Sequence, residues 1–236
     1  MDDAGRMRGW SFRLAGRIAA AQGGLAYANL AAHGATTRDI VERQLARAIA
    51  MRPDLATVFS GTNDVLRARF DVRAFAEHVL RLQGGLRAAG ATVLTFTLPD
   101  LTPLLPLARG IAPRILAMND AVRATSAATG TVLLDFAALP LASDARLWNE
   151  DRIHANPQGH ERIAQALAEA LALPGSDGAW RAPLPAAAPA GVLARAGREL
   201  RWCARYLVPW TLGALAVRGA RPAFPGRRPE LKPFSD

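Results

Sequence analysis

Four short apolar runs that alternate with helical patterns constrain the fold of this chain more than any other feature. They cover residues 25–30, 55–60, 92–98 and 131–136, and each has the length of a β-strand. Strands separated by helices are joined in parallel, and strands buried on both faces are apolar along their whole length. The pattern therefore predicts an α/β fold in which helices cover both faces of a parallel sheet.

Residue types that begin helices occur between these runs. Thr36 or Thr37, Asp71 and Asn156 are suitable N-caps, and Pro157 suits a first helical turn. An apolar stripe over the first segment indicates a further helix before the first strand. Helices are predicted over residues 10–22, about 37–50, 72–89 and 156–174, with a proline-interrupted loop and a helix over 101–126.

Length and composition indicate a globular domain with an extension. The 236 residues are 50% apolar and 21% charged, which is enough for one domain with a substantial core. The single cysteine, Cys203, excludes an intrachain disulfide and is interpreted as a small buried apolar residue. The sequence has no metal-ligand spacing, so neither a metal nor another cofactor is expected. The residues considered for that spacing are Cys203, His33, His78, His154 and His160.

The N-terminal sequence does not resemble a targeting signal. The first ten residues, MDDAGRMRGW, lack a hydrophobic run, so no signal peptide is expected. No apolar stretch is long enough to span a bilayer, so no transmembrane segment is expected either. These features predict a cytoplasmic protein.

Positive charge is concentrated at the C-terminal end. Residues 1–180 hold 19 arginines and 17 acidic residues, whereas residues 181–236 hold ten basic and three acidic residues. Arginine outnumbers lysine 28 to 1 and alanine is abundant, as high-GC codon usage produces. The net charge of +9 therefore belongs mainly to the tail, and no nucleic-acid partner is expected for the main domain.

The same composition shift divides the chain into four parts. Residues 1–174 are predicted to form the domain, and the Gly-, Pro- and Ala-rich residues 175–190 a linker. Residues 191–217 are predicted to be a helical extension, and residues 218–236, which carry four prolines, a disordered tail. As a purely structural element, the extension would be a helix docked on the domain with its arginines in solvent. An apolar stripe at helical spacing runs along it. The stripe consists of Val192, Leu193, Ala196, Leu200, Cys203 and Leu207.

Two polar stretches carry the residues that point to chemistry. Asp151 and His154 lie three apart, before the helix that starts at Asn156, and a carboxylate beside an imidazole can form the orienting half of a nucleophilic triad. The alternative for this pair is a helix-capping loop with a solvated histidine. The second stretch, Gly61-Thr62-Asn63-Asp64, follows the strand at 55–60 directly.

These two stretches, in this order on alternating strands and helices, resemble the SGNH or GDSL-type hydrolases. Gly34, in the loop after the strand at 25–30, matches a further block of that family, and the resemblance covers residues 9 to about 173. It implies a three-layer, flavodoxin-like parallel sheet, the SGNH hydrolase fold. It also implies that His154 is the general base and Asp151 its orienting acid. Gly34, through its backbone N–H, and Asn63, through its amide, would contribute two donors to an oxyanion hole.

Each of these residues also has a purely structural interpretation. Gly34 and Gly61 are residue types that turns require, and Asn63 can cap a helix or a turn. His160 is interpreted as a helix surface residue rather than part of the site. Candidates for lining the mouth of the site are His33, Trp148 and the loop 101–113. The loop is also a candidate for selecting the substrate.

The sequence departs from the family in one respect. The family's first block, a Gly-Asp-Ser at the end of the first strand, is absent, and with it that strand and the nucleophilic serine. The first strand would lie between the strands at 25–30 and 55–60. Ser60 abuts the Gly61 block but lies on the strand that carries Asn63, so no nucleophile is assigned. The six serines are Ser11, Ser60, Ser126, Ser143, Ser176 and Ser235.

Three functional hypotheses follow. The first is a serine esterase or lipase that acts on a small-molecule ester and is recorded here in a shortened form, for instance through a misplaced start codon at Met1. The second is a pseudoenzyme or binding module that kept the cleft and lost catalysis. The third is a peripheral module on an anionic surface, a lipid membrane contacted through residues 191–217 or a nucleic acid.

The resemblance also makes structural expectations. The Asp151 carboxylate should lie within hydrogen-bonding distance of a His154 ring nitrogen, and Asn63 should face the same cleft as Gly34. Without the first strand, either a gap remains beside the strand at 55–60, or the strand at 25–30 shifts across to pair with it.

Overall fold

The computed structural model describes residues 8–186, 191–209, 224, 226 and 228–235. The predictions for the end of the linker, for the end of the helical extension and for much of the tail therefore lie partly outside the described residues.

Three of the four apolar runs form the parallel central sheet in the described part of the chain. The strands are β2 (Leu55–Val58), β3 (Thr92–Phe96) and β4 (Val132–Leu134), and they are ordered β2-β3-β4. Ala56 lies opposite Val93, and Leu94 lies opposite Val132. The middle strand, β3, is the most buried of the three, because it has a neighbour on each edge and helices on each face.

Eight α-helices lie in the described part of the chain, and the predicted caps are in place. The Thr36 hydroxyl and the Asp39 carboxylate form a capping box, Asp71 accepts two backbone N–H bonds at the start of α5, and Asn156 accepts the N–H of Gly159. Two π-helical turns, Val41–Leu45 and Cys203–Leu207, follow α2 and α8. The helices are α1 (Trp10–Gln22), α2 (Thr37–Ile40), α3 (Ala46–Ala50), α4 (Thr62–Val65), α5 (Val72–Ala88), α6 (Ala112–Thr129), α7 (Pro157–Ala170) and α8 (Val192–Trp202).

Two helical layers give the sheet its three-layer form. Helices α1 and α7 pack together on one face, where Leu94 and Phe96 of β3 meet Leu14 and Leu167. Helices α5 and α6 pack together on the other. Their shared core also holds buried residues from the loops after β2 and β3. It comprises Val65, Phe75, Val79, Leu98, Leu101, Leu104, Ala108, Ile115, Met118 and Val122.

Strand β1 (Ala26–Asn29) is not part of this sheet, contrary to the sequence prediction. It pairs antiparallel with β5 (Arg228–Pro233), with Tyr27 opposite Lys232. Among the described residues β1 makes no ladder with β2. Of the two expected outcomes, the one found is therefore the gap beside the strand at 55–60. The strand is also not buried on both faces, since Ala26 is exposed. Apolar character alone therefore did not identify its partner.

The strand β5 corrects the prediction of a disordered tail. Pro229 and Pro233 lack an N–H, which is tolerated in a two-stranded edge pair but gives no strand signal in the sequence. Phe234 follows the strand, and its ring centroid lies 4.8 Å from that of Phe12 and 5.9 Å from that of Tyr27. These contacts come from a segment about 200 residues away in sequence, so a local pattern could not reveal them.

Part of the predicted linker is docked on the domain. A 3-10 turn, Gly178–Arg181, buries Trp180 to 3% exposure against the core cluster of α1 and α7. The Trp180 indole N–H donates to Glu169, and Arg162 donates to the carbonyl of Trp180. The buried Trp180 and these hydrogen bonds therefore anchor part of a Gly-, Pro- and Ala-rich stretch to the domain. Cys203, expected to be buried, is half-buried on the extension.

None of the helices in the described segments is both long and apolar enough to cross a membrane.

The open edge of β2 leads to a stability prediction. Within the described residues β2 pairs with β3 alone, and each backbone group left without a partner costs about 1–3 kcal/mol where it is buried. Because domains are stable by only about 5–15 kcal/mol, we expect the 236-residue chain to be poorly soluble or molten. Adding an upstream strand that ends in Gly-Asp-Ser should raise its solubility. Thermal melts followed by near-UV circular dichroism test this, and a sharp melt at high temperature for residues 1–236 alone would contradict it.

Candidate active site

Asp151 and His154 form a hydrogen-bonded pair on the loop before α7. His154 Nδ1 lies 2.8 Å from Asp151 Oδ2. The other carboxylate oxygen accepts the backbone N–H groups of Ile153 and His154, each at 3.0 Å. The His154 side chain is 66% exposed and that of Asp151 is 27% exposed. The carboxylate is thus fixed by the loop backbone, and it orients an imidazole that stays open to solvent.

The ionisation of Asp151 sets the tautomer of His154. Burial raises the pKa of Asp151, but the backbone N–H groups of His154 and Ile153, together with the His154 ring, lower it by more, so the net pKa lies below its usual value. The carboxylate is therefore charged at neutral pH and accepts a hydrogen bond from Nδ1–H. Nε2 is then the ring nitrogen with a free lone pair, and it has no hydrogen-bond partner within the described part of the chain.

The loop that carries this pair is a closed hairpin seated on α7. Trp148 and Ala155 form an antiparallel bridge, and Asn149 N donates to His154 O at 2.8 Å. The Leu147 carbonyl accepts Asn156 N at 2.9 Å. That carbonyl also lies so close to Gly159 that a Cβ there would stand 2.2 Å from its oxygen. Gly159 therefore permits the contact between the loop and the first turn of α7.

Arg152, between the two candidate catalytic residues, ties the loop to α8. Its φ of +63° lies in the left-handed region, which is unfavourable for a residue with a Cβ. Its guanidinium makes two bonds to Glu199, at 2.7 and 2.8 Å, and lies 4.8 Å from the ring centroid of Trp202. Tyr206 donates its hydroxyl to Glu150 at 3.0 Å. No sequence pattern indicated these contacts, which hold the backbone on either side of Asp151.

The second half of the site is built from two glycine-dependent turns. Gly34 has a φ of +76° and Gly61 one of +110°. A Cβ at Gly61 would stand 2.4 Å from the Met118 sulfur, so no other residue fits there without movement. Asn63 donates its side-chain Nδ2 to Ala35 O at 2.9 Å, which joins the two turns. One of its two amide hydrogens is used in this way, and the other remains available.

Asp64 reinforces the same junction. Its carboxylate accepts the backbone N–H of Thr37 at 3.0 Å and the Thr37 hydroxyl at 3.1 Å. Burial raises the pKa of Asp64, and the bonds from Thr37 offset only part of that effect. Asp64 thus fixes the Gly61 block to the start of α2, just after the Gly34 turn. This role of Asp64 could not be predicted from the sequence, because its partner is 27 residues away.

The two halves of the candidate site are connected through a common apolar core and not by a hydrogen bond. No hydrogen bond among the described residues joins Asp151 or His154 to Gly34 or Asn63. They are connected through the α5–α6 core, in which Val65, next to the Gly61 block, is 1% exposed. Trp148, next to the His154 loop, packs against the same cluster.

The candidate mouth residues differ in their surroundings. His33 is exposed, whereas Trp148 donates its indole N–H to Ala142 O and packs on the core. In the loop 101–113, Leu104 is buried and its carbonyl accepts a bond from Arg152 at 3.2 Å. The loop therefore contacts the segment that carries His154. The described residues hold no group of three or more side chains suited to a metal ion.

His160 is not the surface residue that the sequence predicted. Its Nδ1 accepts the backbone N–H of Trp10 at 3.2 Å. Burial, and then the positive charge of Arg13, lower the pKa of His160 to about 4. The ring is therefore neutral at physiological pH and caps the start of α1. The helix pattern of α7 did not show this, because α1 covers that side of α7 only in the folded structure.

Comparison with known proteins identifies a family to which the chain is similar in sequence. The model of the GDSL-like lipase/acylhydrolase family matches residues 2–162, more than half of the chain. No curated protein is significantly similar in sequence.

Solved structures share the fold. LAE5, an alpha/beta hydrolase enzyme from the metagenome of Lake Arreo, Spain, is 19% identical with a TM-score of 0.56, and the match covers 72% of this chain and 90% of LAE5. Axe2, an acetylxylan esterase from Geobacillus stearothermophilus, is 17% identical with a TM-score of 0.53, and the match covers 75% of this chain and 92% of Axe2.

Replacing Gly159 tests how the loop that carries Asp151 and His154 packs on α7. In Gly159→Ala the new methyl group would collide with the Leu147 carbonyl, so we expect a loss of about 1–3 kcal/mol in the free energy of unfolding. Gly84→Ala on α5 is the matched control, because its Cβ would meet nothing closer than 4.0 Å. That variant should be neutral or more stable by up to about 1 kcal/mol. Urea melts of both variants provide the measurement, and equal effects would contradict the proposed contact.

The pKa of His160 predicts a pH dependence of stability. The unfolded chain binds a proton at this residue near pH 6.5, the folded chain only near pH 4. The contribution of His160 to the free energy of unfolding is therefore complete above about pH 6.5. It is lost as the pH drops toward 4, and the loss is on the order of 3 kcal/mol. His160→Gln, which can still accept the Trp10 N–H but does not titrate, should flatten the curve. Urea melts between pH 7.5 and 4.5 test this with His78→Gln as control; an unchanged slope in His160→Gln would refute it.

Proposed function

The chain belongs to the GDSL-like lipase/acylhydrolase family, and from this premise we propose that it carries the general-base and oxyanion parts of a serine esterase site. The substrate is an ester of a small molecule, and the reaction is acyl transfer from the ester to a serine and then to water. The observation that supports this most directly is the pair formed by Asp151 and His154.

In the proposed reaction His154 moves the proton. A serine hydroxyl placed at Nε2 gives its proton to the ring as it attacks the ester carbonyl, and the ring passes that proton to the leaving alcohol. Asp151, charged and fixed by two backbone N–H groups, stabilises the imidazolium that forms. In the second half of the reaction His154 takes a proton from water as the water attacks the acyl group. The bond between the acyl group and the serine breaks, the acid is released, and the ring returns the proton to the serine oxygen.

Gly34 and Asn63 supply the proposed oxyanion donors. The tetrahedral intermediate carries a negative oxygen that needs donors in fixed positions. The Asn63 amide is held by Ala35 O, and the turn at Gly34 lies one residue before Ala35, so the two donors are fixed relative to each other. The Asp64–Thr37 bonds prevent the two turns from separating.

The nucleophile is the part of the proposal that the printed sequence does not supply. Ser11 accepts the Tyr27 hydroxyl, Ser143 donates to Asp100 O, and Ser126 is buried between α5 and α6. The family places its serine just before its first helix. In this chain the start of α1 contacts His160 of α7, the helix that follows the His154 loop. A Gly-Asp-Ser block placed before α1 would thus enter the site from this side.

Ester hydrolysis by the chain with and without such a block tests the proposal. We expect residues 1–236 alone not to hydrolyse p-nitrophenyl acetate, because no serine is assigned as nucleophile. Fusion of an upstream strand that ends in Gly-Asp-Ser should produce activity. In that fusion His154→Ala should reduce kcat/KM by roughly 10³–10⁴, and Asp151→Asn should reduce it strongly as well. His78→Ala, a partly buried histidine on α5, is the control and should have little effect.

The outcomes separate the hypotheses. Activity of residues 1–236 alone that disappears in His154→Ala would refute the assignment of no nucleophile and point to Ser60 or another serine. A fusion that folds but does not turn over ester would favour the pseudoenzyme, a chain that kept the cleft and lost catalysis.

A further inference from the structure

Helix α8 is joined to the domain by its polar side, not by its apolar stripe. Glu199 and Tyr206 hydrogen-bond to the segment around Asp151, and Trp202 is 8% exposed beneath the Arg152 guanidinium. These three residues are spaced three and four apart and so share one side of the helix.

The apolar stripe of α8 is exposed as a result. Leu193 is 89% exposed and Leu200 is 72% exposed. They are seven residues apart, two helical turns, and exposed Ala196 and Ala204 continue the same line. An exposed apolar stripe of this kind, rimmed by charged residues, is typical of a surface that contacts a partner or a membrane.

A row of arginines runs beside the stripe. Arg198, Arg201 and Arg205 are exposed and follow each other at spacings of three and four residues. Glu199 is the one acidic residue of the segment 191–209, and its charge is taken up by Arg152 on the domain side. The outward side of α8 therefore combines exposed leucines with positive charge that the helix itself does not neutralise.

We propose that the outward face of α8 is a docking surface for an anionic lipid bilayer. An amphipathic helix lies in the plane of the interface, its apolar stripe enters the boundary between headgroups and acyl chains, and its arginines bind the phosphates. Leu193, Ala196, Leu200 and Ala204 form the inserted stripe. Arg198, Arg201 and Arg205 form the phosphate-binding row.

The charge pattern selects this partner over two others. A second copy of the chain would bring two arginine rows close to each other across the paired stripes, and like charges repel. A nucleic acid would bind the arginines but would leave the leucines in water. A bilayer of anionic lipid offers hydrocarbon and negative charge at the same surface, so both features of α8 are used.

Docking through α8 would also place the ester site close to the lipid. The inner side of α8 contacts Arg152 and Glu150, on either side of Asp151. Lipid binding itself does not depend on the proposed function; the delivery of esters from the lipid to His154 rests on it.

Vesicle co-sedimentation of the full 236-residue chain tests the proposal without any reaction. Vesicles of phosphatidylcholine alone are compared with vesicles that contain phosphatidylglycerol, at low and at physiological ionic strength. We expect binding that requires the anionic lipid and weakens with salt. In Leu193→Ser/Leu200→Ser, and in Arg198→Gln/Arg201→Gln/Arg205→Gln, the partition coefficient should fall at least about tenfold, since each basic residue near the surface contributes about fivefold.

Matched controls separate the surface of α8 from general stickiness and charge. Leu116→Ser removes a leucine that is 61% exposed on α6 and should leave binding unchanged. Arg69→Gln/Arg73→Gln/Arg81→Gln removes the same charge from exposed positions elsewhere and should have a smaller effect than the α8 triple variant. All of these side chains are exposed, so circular dichroism should show unchanged folding. His154→Ala should bind like the original chain, which keeps this test independent of ester hydrolysis.

Several results would overturn the proposal. Equal binding to neutral and anionic vesicles would show that the arginines do not contribute. If the double leucine variant bound as well as the unsubstituted chain, the apolar stripe would not contribute. A dimer in the absence of vesicles that dissociates in the leucine variant would assign the stripe to a second copy. Salt-sensitive binding to duplex DNA in place of vesicle binding would assign the arginines to a nucleic acid.

Discussion

The burial of β3 is the constraint on which the rest of the structure depends. Val93, Leu94 and Phe96 are at most 7% exposed, and the strand is hydrogen-bonded to β2 on one edge and to β4 on the other. An arrangement of this kind satisfies the backbone while placing apolar side chains on both faces, so it requires a helical layer on each side. Because the strands are parallel, the loops that follow β2 and β3 open at the same edge of the sheet, where polar side chains can meet a ligand.

Hydrogen bonds within and between loops then fix the candidate site residues. Asp151 is fixed by the backbone of its own loop, and the loop is closed on α7 through Leu147 and Gly159. The Gly61 block is tied to the Gly34 turn by Asn63 and Asp64. Each candidate donor or base is therefore held by groups that do not themselves react, which is what catalysis by preorganised groups requires.

Helix α8 lies outside the matched family region, residues 2–162. Its inner side supports the unfavourable backbone angle of Arg152 with an ion pair and a cation–π contact. Its outer side keeps two leucines in solvent. The inner contacts use polar groups, so the helix can be joined to the domain while its apolar stripe remains open to a partner.

The sequence by itself determined the features whose signals are local. Apolar runs predicted β2, β3 and β4, and Asp71 and Asn156 marked where helices begin. The contact of Asp151 with His154 follows from a spacing of three residues. Tertiary structure decided the pairing of β1 with β5, the burial of His160 under α1 and the side of α8 that meets the domain. These depend on contacts between residues tens to about 200 positions apart, as with Trp10 and His160. Periodicity shows which side chains share a face, but only packing decides what that face meets.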